Sequence, residues 1–122
     1  EMLGRVVGNH PIEELTAVAT LEELTAARQT TATVTVTEPV RTYATRLARH
    51  TRDRATLGVS PRGTLSLLRA AQARAVLDGR EYVIPDDIQH EARAVLTHRI
   101  RTDTDQTASD VVADALAAVE PE

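Results

Sequence analysis

Apolar residues recur along this chain at helical spacing, in blocks separated by Pro, Gly and short polar runs. Val40, Tyr43, Ala44, Leu47 and Ala48 follow the i, i+3, i+4, i+7, i+8 pattern of one buried helix face. Thr37 supplies a cap and Pro39 a first-turn proline, so a helix is predicted from Glu38 to about Thr51. A second helix starts at Pro61. Leu65, Leu67, Leu68, Ala71, Ala75 and Val76 leave it apolar over much of its circumference, which predicts the central helix of a bundle. Asp78-Gly79 ends it, with Gly79 as a left-handed cap. Pro85-Asp86-Asp87 opens the next helix, with Ile88, Ala92, Val95 and Leu96 on its inner face and His98 to Arg101 at its close. Ser109 or Thr107 caps a last helix bearing Val111, Val112, Ala115, Leu116 and Val119.

The stretches between and before these blocks read differently. Glu1 to Gly8 resembles the tail of an amphipathic helix ended by Gly8 and Asn9, and Ile12 to Val18 a turn or two of helix. Thr20-Leu21-Glu22-Glu23 is a capping box, predicting a helix to about Gln29 with Leu21, Leu24 and Ala27 or Arg28 along one face. Thr31 to Thr37 alternates and is rich in β-branched residues, so it is extended, with Val34 and Val36 inward, and too solitary for a sheet. Arg52 to Thr56 reads as a polar loop and Arg80 to Ile84 as a brief extended link. The expected fold is all-α, a small helical bundle with one short extended segment near 32–37.

Composition narrows the function more than the fold. With 122 residues the chain is one domain, able to bury roughly two-thirds of its unfolded surface. It has no Cys, which removes disulfides and thiol chemistry and suits a reducing compartment. Tyr43 and Tyr82 are its only aromatics, so the core must be aliphatic, and every basic residue is Arg. The net charge of −4 argues against a general nucleic-acid binder. No stretch approaches the roughly 20 apolar residues of a membrane span, and no signal peptide is visible. The chain begins at Glu1 rather than Met, and is expected to be a piece of something longer.

Candidate chemistry is sparse. His10, His50, His90 and His98 do not pair at helical spacing, and there is no Cys, so no metal site is expected. Asp86 and Asp87, being adjacent, point about 100° apart on a helix and read as helix-start acids. Neither a GxSxG nor a P-loop motif occurs. One stretch stands out: Leu57-Gly58-Val59-Ser60-Pro61-Arg62-Gly63 turns from loop into helix. Gly58 relieves the backbone, Ser60 caps, and Pro61 suits the first helical position. Arg62 then stands in the first turn, among unpaired N–H groups and at the positive end of the dipole, as a candidate phosphate clamp or simply as a solvated surface cation. From its residues alone the chain is expected to be a soluble all-α domain with one candidate anion-facing Arg.

From Val34 onward the chain resembles the C-terminal lid domain of MoxR-type AAA+ ATPases. The resemblance is carried by Val40-Arg41-Thr42-Tyr43, by Thr51-Arg52, and by two central blocks, GVSPRGTLSLLRAAQA from Gly58 and LDGREYVIPDDI from Leu77, with Val95 to Ile100 after them. It implies a segment at 1–31 joining an ATPase core to the lid, and the helical lid itself at 32–122. It also implies that the Walker motifs, sensor 1 and the arginine finger lie on a core absent from this chain. ATP would bind there with Mg2+ held by the core, so this chain alone should be inactive. Arg62 matches the sensor 2 arginine, the expected catalytic residue. Gly58, Val59, Ser60, Pro61 and Arg62 are the expected cofactor-binding residues. The family setting is a cytoplasmic ring, typically a hexamer, acting as a chaperone-like motor. It works with von Willebrand factor A-domain proteins on client enzymes, without nucleic acid or membrane. Ile84 departs from the pattern, since a capping Thr or Ser usually precedes that Pro. Competing readings are the lid of a magnesium chelatase or replicative helicase, and a helical DNA-binding or adaptor module. A further one is a structural bundle in which Asp53 or Glu81 folds against Arg62.

Overall fold

The structure is a computed structural model and describes residues 11–121; the helix tail expected over Glu1 to Gly8 lies outside these. A 3-10 turn at Pro11–Glu14 is followed by five α-helices: α1 (Leu21–Ala32), α2 (Glu38–Arg54), α3 (Pro61–Leu77), α4 (Pro85–Leu96) and α5 (Ala108–Ala118). A 3-10 turn at Thr97–Arg99 follows α4 directly. Among the described residues there are no strands. Two isolated bridges, parallel between Thr35 and Tyr82 and antiparallel between Leu57 and Arg101, tie loops to one another. Among the described residues no helix is long and apolar enough to cross a membrane.

The core lies between α2, α3, α4 and α5. Tyr43 and Leu47 from α2, Leu67 from α3, Ile88 and Leu96 from α4, and Val111 and Val112 from α5 are among its largest buried apolar side chains, with Val59 from the loop before α3. The most extensive packing is between α3 and α4. The stripe of α3 that packs is small-residued, with Gly63, Ala71 and Ala75 around Leu67, which lets neighbouring backbones approach. Leu65 and Leu77 are exposed, so the all-round apolarity of α3 is not all-round burial. The helix still occupies the centre, touching α1, α2 and α4, but one side of it faces solvent.

Several boundaries shift from the expected ones. The first helix continues past Gln29 to Ala32, and Thr31 near its end returns its hydroxyl to the Ala27 carbonyl. Extended backbone is therefore confined to the end of the 32–37 segment, where Thr35 pairs with the 81–83 link; Val34 is buried and Val36 half-buried. The second helix runs on to Arg54, taking in Arg52, Asp53 and Arg54 of the expected polar loop. Thr37 stands at the N-cap of α2 but makes no side-chain capping bond. Pro39, at the second helical position, has removed one of the two N–H groups such a cap normally serves. Thr20 and Thr107 both form reciprocal boxes, with Glu23 and Asp110. Gly79 has φ +74°, the left-handed geometry its place after α3 requires.

Candidate functional site

The loop from Leu57 to Ser60 is held at both ends before it enters α3. Leu57 exchanges backbone hydrogen bonds with Arg101, at 3.1 and 2.9 Å. Two residues on, Val59 is wholly buried and both of its backbone groups are taken. Its N–H donates to the Thr51 hydroxyl at 3.0 Å, and its carbonyl accepts from the Arg52 Nε at 2.7 Å. Thr51, itself fully buried, completes the set by donating to the Ala48 carbonyl at 2.6 Å. Gly58 is required by this close approach: a Cβ there would stand 2.4 Å from the Arg52 Cα and 2.5 Å from its N.

Ser60 then caps α3. Its hydroxyl accepts from the Gly63 N–H at 3.1 Å, and its carbonyl from the Thr64 N–H at 3.0 Å. Pro61 has no N–H to satisfy. Arg62 is thus the one residue of the first turn whose N–H has no acceptor among the described residues, and its exposed guanidinium has no carboxylate partner there either. Neither Asp53 nor Glu81 pairs with it, so the local salt bridge a structural role would need is not formed. An uncompensated cation in the positive first turn of a helix favours an anion beside it. Pro61 and Leu65 line an open groove of about 330 Å³ between α2 and α3, next to this turn.

Of the five residues singled out in the sequence, the structure sets four around the entry to α3 with their backbone near the surface. Val59 instead points into the core, where its Cγ1 fills the space a side chain at Gly63 would need.

A second polar cluster was not legible beforehand. Asp87 is buried and receives a two-pronged hydrogen bond from Arg80, at 2.6 and 2.8 Å. It also accepts from the Ile84 N–H at 2.9 Å, the half of a capping box that needs no polar side chain at Ile84. Arg80 reaches Asp78 at 3.1 Å and the Tyr82 carbonyl at 3.0 Å as well. Burial alone would push the Asp87 carboxyl up, but Arg80 and the Ile84 N–H hold it below the ordinary carboxylate range. Asp87 is therefore more than a helix-start acid: with Arg80 it locks the α3–α4 connection. Asp86, one position earlier, is exposed. Among the described residues no group of three or more His, Cys, Asp or Glu could hold a metal ion.

Residues 47–120, more than half of the chain, match the profile of the AAA lid domain. The chain is 36% identical over 110 residues to the uncharacterized protein YeaC of Bacillus subtilis, a match covering 88% of this chain and 34% of YeaC. It is 39% identical over 54 residues to the chaperone MoxR1 of Mycobacterium tuberculosis, covering 44% of this chain and 14% of that protein. The chain thus spans about a third of the length of YeaC. Its backbone also matches part of the crystal structure of a Cytophaga hutchinsonii protein with a TM-score of 0.86, over 98% of this chain and 41% of that one. At 23% identity that likeness carries the fold alone.

Proposed function

The chain belongs to the AAA lid domain family, in its MoxR-like form, and from that premise we propose that it closes over the nucleotide of an AAA+ ATPase, with Arg62 as the sensor 2 arginine. The observation that carries this reading is the state of Arg62: exposed, in the first turn of a firmly capped helix, with neither its N–H nor its guanidinium claimed by the described protein. Such a cation suits a phosphate oxygen. It does not suit a divalent metal, and among the described residues no metal-binding cluster accompanies it.

ATP with Mg2+, held by a core outside this chain, would supply the phosphoryl group and the leaving group. The part played by this chain is electrostatic. Arg62 would approach the γ-phosphate, stabilise charge as it develops in phosphoryl transfer, and link the state of the nucleotide to rotation of the lid. Gly58, Ser60 and Pro61 would pass close to the base or ribose, with Pro61 at the groove wall, while Val59 would shape the loop from beneath.

The segment up to residue 31 is proposed to join the lid to that core. Leu15, Val18 and Leu21 are 75%, 99% and 79% exposed, and α1 buries no residue at all, which supports a further body of protein against this edge. The whole protein is proposed to work as a cytoplasmic ring, typically a hexamer in this family, that remodels client enzymes together with von Willebrand factor A-domain proteins.

The test is ATP turnover by the full-length protein with Arg62→Ala. The expected loss is on the order of 10²–10³-fold, the typical effect of removing one such charge-stabilising group. Unchanged turnover in a folded, assembled variant would return Arg62 to the solvent.

A further inference from the structure

We propose that Thr51 and Arg52 are positioning residues for Arg62, acting through the backbone of Val59; the proposal rests on the sensor 2 reading of Arg62. Two consecutive residues in the last turn of α2 grip the two backbone groups of one loop residue. Thr51 takes the N–H and Arg52 the carbonyl, and Thr51 is in turn fixed to Ala48. The next residue, Ser60, is the N-cap of α3. Arg62 follows two positions later, inside the first helical turn, where the backbone has no remaining freedom.

The direction from which the chain enters α3 is therefore set by α2, across seven and eight positions of sequence. Other features point the same way. A side chain at Gly58 would collide with the backbone of Arg52, so the two segments are in van der Waals contact at this point. Gly63, one residue beyond Arg62, leaves room for Val59 Cγ1 at 2.9 Å and Arg99 Cδ at 3.1 Å from where its Cβ would stand. The turn carrying Arg62 is thus clamped from below by packing and from behind by hydrogen bonds, while the Arg62 side chain stays exposed. A rigid mount beneath one free cation is what charge stabilisation at a fixed distance requires, since misplacement by about 1 Å can lose about a hundredfold in rate. Arg52 spends its Nε on this mount.

The experiment is a double-mutant cycle on ATP turnover by the full-length protein, with Arg52→Ala, Arg62→Ala and both together, and Arg52→Lys as the conservative variant. Amide exchange at Val59 and Gly63 serves as an independent readout. The expected result is that Arg52→Ala lowers kcat about tenfold in the wild-type background with KM for ATP changed less than about threefold. It speeds exchange at both amides, and it lowers kcat no further once Arg62 is Ala. Arg52→Lys, which keeps a donor within reach of the Val59 carbonyl, recovers most of the loss. An equal loss in both backgrounds overturns the proposal, because Arg52 would then act independently of Arg62. Faster exchange with unchanged turnover also overturns it, leaving the clamp a purely structural role. If Arg62→Ala alone leaves turnover intact, the sensor 2 reading fails and takes this proposal with it. That outcome is read from the single variant and is separate from the other two.

Discussion

Replacing Arg80 by Ala should be the most damaging single change to stability outside the apolar core. The Asp87 side chain is 2% exposed and the Arg80 side chain 20%. The pair is bidentate, and Asp87 has as its other ligand the Ile84 N–H at the start of α4. Removing one partner of a buried pair typically costs about 3–5 kcal/mol, because the other charge is left without compensation. A ceiling follows from proton binding. At pH 7 an unpaired Asp87 can escape its penalty by taking up a proton, and about three pH units above the ordinary carboxyl value, at about 1.4 kcal/mol each, limit the unpaired-charge part of the loss to about 4 kcal/mol. The expected loss is therefore about 3–4 kcal/mol. With a urea m-value of about 1.5–2 kcal/mol/M for a domain this size, the midpoint should fall by about 2 M.

The pH dependence has a definite sign. In the native protein the Asp87 carboxyl is held low, so its contribution is present above the ordinary carboxyl range and is lost as pH falls through its folded value. In Arg80→Ala, burial without the cation raises that carboxyl, so the variant recovers stability on acidification. The gap between the two proteins should be widest at neutral pH and narrow towards about pH 4 and below. Urea unfolding followed by far-UV circular dichroism at pH 7 and pH 4 measures both. A loss under about 1 kcal/mol at pH 7, the scale of an exposed ion pair, would refute the reasoning. So would a gap that grows as pH falls.

Two further changes probe the approach to α3. Gly58→Ala places a methyl group within 2.6 Å of three atoms of Arg52, two of them backbone. The segments must part, so a loss of about 1–3 kcal/mol is expected in thermal or urea melts, with faster exchange at the Val59 amide. Ser60→Ala removes the acceptor of the Gly63 N–H and should lose about 1 kcal/mol, a drop of about 4 °C in Tm by calorimetry.

The helices were legible because their signals are local. The apolar stripe Val40, Tyr43, Ala44, Leu47, Ala48 is buried without exception, and Gly79 and the Thr20 box do what their positions suggest. Ser60 and Arg62 could be singled out for the same reason, since a cap and a first-turn charge are defined by a few neighbouring residues. What periodicity could not supply were pairings across turns. Arg52 read as loop, yet it is helical and bonded to Val59; the Thr51-Arg52 pair formed part of the family resemblance without a role attached. Asp87 sits at the third helical position, where an acid commonly caps. That much was a signal, but its burial under Arg80 depends on how the α3–α4 link folds. Leu65 misled in the opposite direction, since apolar character alone does not say whether a neighbour covers it.

The central claim is that Arg62 stabilises charge in the nucleotide reaction. The most direct measurement is steady-state ATP turnover by full-length protein carrying Arg62→Ala, alongside nucleotide affinity and assembly state. Turnover lower by about a hundredfold or more, with affinity and assembly largely kept, is the predicted result. Turnover equal to wild type in an assembled ring would contradict it, leaving the chain an AAA lid whose exposed arginine serves no catalytic purpose.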